Sequence, residues 1–199
     1  MNKTWPIVLG LLTSVAAMVA GLLTGTDTLE QWQLAARWTA RASFPLFLIP
    51  FIASALVRLY PTGWTRALMR NRRWWGLGFA AAFGMHLACL LVNQWLRDNF
   101  PPTGPGDPGF YLYLLLLAMV LTSTDTARKR MGRWWKVLHR TGMWGFWVVF
   151  VISDYLAVIH GEWPAQSPLT DPYFVVGIAA ALSKLAAWRR AKRRRGRLS

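Results

Sequence analysis

The sequence predicts an all-α, polytopic membrane protein, a six-transmembrane-helix bundle with its N- and C-termini both on the cytoplasmic side. Three observations lead there. Of the 199 residues, 54% are hydrophobic and 14% aromatic, and the apolar residues fall in long unbroken runs rather than in the short helical or strand periods of a soluble domain. Six such runs can be counted. Against this apolar background stands a formal net charge of +15, and the cations are sorted to one side of the runs.

The runs cover residues 5–23, 43–60, 74–95, 110–124, 141–159 and 172–188, most of them near the roughly 17 to 25 residues a helix needs to cross the hydrocarbon. The fourth is the shortest. The first, within "MNKTWPIVLGLLTSVAAMVAG", has the basic start and small-residue end of a secretory signal. Its apolar run exceeds a usual signal core and its removal would leave five spans, so it is read as a retained helix. Between runs three and four, "RDNFPPTGPGDPGF" is rich in proline and glycine and continues neither helix. No segment is long enough for a separate extramembrane domain, so residues 1–199 are read as a single transmembrane domain.

The charges orient the bundle. With the N-terminus inside, Lys3, the 58–73 loop (Arg58, Arg66, Arg70, Arg72, Arg73), the 125–140 loop (Arg128, Lys129, Arg130, Arg133, Lys136, Arg140) and the stretch from Lys184 onward all lie on the inner side. Only Arg37, Arg41 and Arg97 remain outside, among Asp27, Glu30, Asp98, Asp107, Glu162 and Asp171. This is the bias that sets membrane topology. It also argues against nucleic acid as a partner, because the cations are split among separate loops rather than gathered in one groove. The basic tail 189–199 is read as a cytoplasmic anchor on anionic headgroups of the lipid bilayer. Tryptophans near the run ends, among them Trp74, Trp75, Trp134, Trp135, Trp163 and Trp188, fit interfacial belts.

Several chemistries have no place in this chain. A lone cysteine, Cys89, allows neither an intrachain disulfide nor a cysteine-rich metal site. There is no nucleotide-binding glycine loop, no Ser-His-Asp set and no room for a flavin-reductase domain. A transporter would need a row of polar residues in the spans, and apart from His86, Asp154 and the near-edge Lys184 there is none.

Those few intramembrane polar groups carry the functional reading. His86 lies within "GFAAAFGMHLACLL", where an imidazole requires either a hydrogen-bonding neighbour helix or a function, such as axial ligation of a heme iron. The small residues around it suit close helix packing and a flat macrocycle equally. His139 stands where the basic segment meets the fifth run in "RWWKVLHRTGMWGFW", and by itself also reads as an interfacial imidazole facing headgroups. His160, ahead of "GEWP", reads as a solvated loop residue. Asp154 is the one acid deep in a run, and a His86–Asp154 pair is expected either as a structural contact or as a means of orienting a ligating imidazole.

"RRWWGLGFAAAFGMH" followed by "TSTDTARKRMGRWWKVLHRTGMW" resembles the heme-binding membrane subunit of bacterial periplasmic methionine sulfoxide reductase systems, the MsrQ/YedZ family. That family lies within the ferric-reductase-like transmembrane superfamily shared with NADPH oxidases. The resemblance covers roughly residues 72–188. It implies an inner-membrane electron-transfer subunit rather than a complete enzyme, with heme b between its helices and FMN or a quinone as further cofactors. Electrons would come from a cytosolic flavin reductase or a quinol and go to a periplasmic reductase partner. His86 matches the family's outer-level ligand and His139 its inner-level ligand, with Arg133, Lys136 or Arg140 near enough to pair with heme propionates.

One departure from the pattern matters. The family's second histidine on span five falls at Ile152 here. His160 is about 31 Å of helix beyond His139, and His86 and His139 differ in depth by about 14 Å or more, so a two-heme, bis-histidine ladder cannot be assembled. Three readings follow. A single heme could hold one histidine with a weak, water or absent second ligand, Met85, Met143 and Met119 qualifying by residue type; His160 could reach back past a kink; or heme could be lost. The last would leave a non-redox membrane assembly or partner-binding protein.

Overall fold

The computed structural model describes residues 4–98, 108–161 and 167–195, and among them the chain is helix and turn without a strand. The helices are α1 (Trp5–Thr24), α2 (Thr28–Leu59), α3 (Gly63–Arg70), α4 (Arg72–Leu96), α5 (Pro108–Leu121), α6 (Asp125–Met131), α7 (Arg133–Ile159) and α8 (Pro172–Arg195), with one 3-10 turn at Pro168–Thr170. Lys3, Asp107, Glu162, Trp163 and Arg197, and most of the proline-rich loop, lie outside the described residues. Helices α1, α2, α4 and α7 are long and apolar enough to cross a membrane, and a fifth span results if α5 and α6, bent by 105° at their junction, are taken together. The chain is a multi-pass membrane protein.

Helices extend past the apolar runs because hydrogen bonding continues after hydrophobicity ends. Helix α2 has 32 residues and starts at Thr28, taking in Arg37 and Arg41, which the sequence reading left in a loop. Its start is well capped: Asp27 Oδ1 accepts from the Glu30 N–H at 2.9 Å, and the Glu30 carboxylate reaches back to the Thr26 N–H at 2.7 Å. The basic loops are helical too. In α3, Thr62 and Thr65 form a reciprocal capping box, and α6 starts on the Thr124 side chain, which accepts from the Ala127 N–H at 3.1 Å. Between α6 and α7, Gly132 adopts φ 53°, a left-handed conformation that a side chain would disfavour.

The described chain divides into two compact units, Met1–Phe47 with Arg73–Gly142, and Leu48–Arg72 with Met143–Ser199. In the first, α1 meets α4 backbone to backbone. A Cβ on Gly10 would fall on the Gly78 carbonyl, and one on Gly78 on the Pro6 carbonyl. Small residues at such a crossing let dispersion and dipole contacts replace the hydrophobic drive that lipid does not supply. Near the crossing Trp5 packs edge-on to Trp75 at 4.9 Å. Farther along, Ala35, Ala36 and Cys89 form a buried cluster under Met18, Leu22 and Trp32. A run of aromatic contacts, Phe44–Phe47, Phe47–Phe79 and Phe79–Phe83 (6.4, 5.4 and 5.5 Å), joins α2 to α4.

In the second unit, the Trp147 indole N–H donates to the Gly177 carbonyl at 2.8 Å and ties α7 to α8. Lys184 on α8 does not reach for water. Its ammonium donates to the Phe51 carbonyl at 3.1 Å and lies over the Phe51 and Trp144 rings, 4.0 and 5.3 Å from their centroids. Asp171 begins α8, accepting from the Tyr173 and Phe174 N–H groups at 2.7 and 3.2 Å.

The glycine crossing can be tested directly. Gly78→Val forces α1 and α4 apart and is expected to cost about 1–3 kcal/mol or more, seen as a lower unfolding temperature in detergent. Gly76→Ala meets nothing within 4 Å and is expected to leave stability unchanged or raise it by about 0.5–1 kcal/mol.

Candidate functional site

The first unit holds both histidines of interest, and the fold secures them in the same manner. On α4, His86 places Nδ1 2.9 Å from the Ala36 carbonyl oxygen of α2 and 3.4 Å from Thr39 Oγ1. A carbonyl can only accept, so Nδ1 carries the proton. The fully buried Thr39 directs its hydroxyl back along α2 to the Ala35 carbonyl at 2.7 Å, which leaves its oxygen able to accept from the imidazole. Phe83, one turn earlier on α4, lies 5.1 Å from the His86 ring and 5.2 Å from Tyr113 of α5.

On α7, His139 places Nδ1 3.1 Å from the Trp135 carbonyl, one turn back. The Trp135 indole stacks on the imidazole with centroids 4.0 Å apart and planes 26° apart. The same indole N–H donates to the Thr122 carbonyl at 2.9 Å, just past the end of α5. Trp135 thus serves as a clamp, beyond the belt role its position suggested. Trp135, His139 and Gly142 follow a spacing of four and three, so they share one face of α7. That face is turned to α5, because a Cβ on Gly142 would fall on the Met119 thioether.

Chemically the two imidazoles are alike. With Nδ1 donating to a backbone carbonyl, the lone pair resides on Nε2, the arrangement that metal-ligating histidines use to set tautomer and ring orientation. Among the described residues no three His, Cys, Asp or Glu side chains gather as a bare metal site. Each of the two imidazoles therefore has Nε2 as its one acceptor nitrogen.

Other expected residues fall as follows. Arg133, Lys136 and Arg140 are exposed at the start of α7, and the Arg133 guanidinium lies over the Trp134 ring at 5.1 Å. Ile152 is 50% exposed. Helix α7 runs from Arg133 through Ile159, and His160 is exposed in the turn that follows. Asp154 is buried. Met143 is buried and belongs to the second unit; Met119 is buried in the first. Thr39 and the Met119–Gly142 contact were missed from sequence, although the Trp135/His139/Gly142 spacing was a usable signal.

Two relatives, from Salmonella paratyphi B and Salmonella newport, each named protein-methionine-sulfoxide reductase heme-binding subunit MsrQ, are 29% identical over 156 residues. In each case the alignment takes in 75% of this chain and 72% of the relative. No solved structure matches the chain. The family described as ferric reductase like transmembrane component matches residues 36–151, a stretch that contains Ala36, Thr39, His86, Trp135 and His139. Since that match takes in more than half of the sequence, the chain belongs to the ferric-reductase-like transmembrane family.

Proposed function

We propose that this protein is a heme b-dependent electron-transfer subunit of the bacterial inner membrane. It accepts electrons from a cytosolic flavin reductase or a quinol and delivers them to a periplasmic reductase partner in a methionine sulfoxide repair-like system. The observation that carries the reading is the shared anchoring of His86 and His139, each with Nδ1 on a backbone carbonyl, inside the region that matches the family. The similarity to heme-binding subunits of protein-methionine-sulfoxide reductases supports the choice of partner.

When bound, heme b supplies a one-electron iron couple; positioning and insulation fall to the chain. His86 and His139 offer Nε2 as ligating atoms at two depths. Ala36, Thr39 and Trp135 keep those rings from rotating, which favours a fixed ligand field and a small reorganisation on electron transfer. Phe83 and Tyr113 provide apolar walls. Arg133, Lys136 or Arg140, at the basic start of α7, would pair with the propionates of a bound heme. In this reading the chain has six spans, α5 and α8 completing the set, with both termini and α6 inside, as the placement of all basic residues except Arg37, Arg41 and Arg97 supports.

Reduced-minus-oxidised absorption spectra and a hemochrome assay on protein from heme-sufficient cells test the reading. His86→Ala and His139→Ala are each expected to lower heme per chain or alter its spectrum, whereas a folded wild-type protein without heme would point to the non-redox alternative. Topology has its own test. In a Cys89→Ser background, Asp98→Cys should react with a membrane-impermeant maleimide in spheroplasts, and Lys129→Cys only after permeabilisation; the reverse labelling would invert the orientation.

A further inference from the structure

We infer that Arg66 and Arg190 form a binding site for the phosphate of an anionic phospholipid at the membrane edge, a site independent of the heme reading. The two guanidinium groups come from different elements of the second unit, α3 and α8, and meet at one turn. Arg190 Nη1 donates to the Leu59 carbonyl and Arg66 Nη2 to the Pro61 carbonyl, both at 2.9 Å. These acceptors are two residues apart in sequence, so their Cα atoms are within about 7 Å of each other. The turn between them is itself fixed, because the Thr65 hydroxyl and the Thr62 N–H both donate to the Tyr60 carbonyl, at 2.7 and 2.9 Å. Deeper along the same two helices, Lys184 ties α8 to the Phe51 carbonyl of α2. Arg190 is therefore delivered by a docked helix rather than by a loose tail.

Capping the end of α2 accounts for one N–H of each arginine. It does not answer their charge. Both side chains are exposed, and neither residues 48–72 nor residues 172–199 contain an aspartate or glutamate, so these segments supply no counter-anion of their own. A guanidinium presents five N–H donors in a planar fork that matches phosphate oxygens. Two such forks already held at neighbouring carbonyls lose little side-chain freedom when an oxyanion joins them. Position then selects the source of the phosphate. Helix α2 ends at Leu59, and on α8 the exposed Trp188 precedes Arg190 by two residues. Tyr60 and Trp64, on either side of the turn, are exposed as well, and such rings favour the zone between headgroups and acyl chains. A phospholipid meets both features, its phosphate on the guanidinium pair and its glycerol and acyl carbons on the rings. A free phosphate meets only the first.

The test titrates the full-length, delipidated protein in detergent with phosphatidylglycerol and reads bound lipid by native mass spectrometry. Wild type should bind phosphatidylglycerol in preference to phosphatidylcholine. Arg66→Gln and Arg190→Gln should each weaken the first binding step by about tenfold or more, as expected for a lost hydrogen bond to a charged group. The double variant should lose little beyond either single one, because one phosphate engages both groups. Lys192→Gln with Arg193→Gln removes as much charge from the same helix and should weaken the step far less. Equal weakening in that control pair, or unchanged lipid binding in the Arg66/Arg190 double variant, overturns the site. Binding of inorganic phosphate in competition with the lipid assigns the pair to a soluble anion and overturns the lipid reading. Where a Gln variant fails to fold, Arg66→Lys and Arg190→Lys, which keep the charge but not the planar fork, carry the test: weakened phosphatidylglycerol binding supports the site, and wild-type binding overturns it.

Discussion

In hydrocarbon a polar group has no water to fall back on, so each one must be satisfied by the protein itself. The answer here is to use backbone carbonyls as the common acceptor. Ser14 and Thr39 return their hydroxyls to carbonyls one turn back. Trp135 donates its indole N–H to the Thr122 carbonyl just past α5, Trp147 donates to the Gly177 carbonyl of α8, and Lys184 puts its ammonium on another. The same device secures His86 and His139. A carbonyl that already serves its helix has a second lone pair available, so such bonds require no further polar side chain inside the membrane.

This constraint links packing to chemistry. An imidazole whose Nδ1 is committed to a fixed carbonyl has one tautomer and a narrow range of ring orientations. Its second nitrogen is prepared for a ligand before the ligand arrives. The helices that supply the carbonyls must in turn be held in register, which is the role of the glycine crossing between α1 and α4 and of the Ala35–Ala36–Cys89 cluster that fixes α2 against α4. At His139 the register comes from Trp135, one side chain that stacks on the imidazole and ties α7 to the end of α5.

What could be read from the sequence followed from how local each feature is. Apolar runs and the sorting of charge are properties of neighbouring residues, and a helix covers most of each run. The helix ends were not legible, because Asp27, Glu30 and Thr124 extend helices into charged segments by capping rather than by hydrophobicity. His86 and His139 stood out by residue type within the runs. The acceptor of His86, the carbonyl of Ala36, has no side-chain signature. Trp135 looked like any other interfacial tryptophan until its two contacts were seen together.

The length of α2 has a consequence for recognition. At 32 residues it is about 48 Å long, against a hydrocarbon thickness of about 30 Å. Tilt can absorb part of the difference, and any remainder would stand clear of the bilayer. Its N-terminal turns are braced by the Asp27–Glu30 cap and by the Arg97 guanidinium, which donates to Gln33 at 2.6 Å. A partner protein that docks at this end meets a preformed surface and loses little conformational entropy in ordering it.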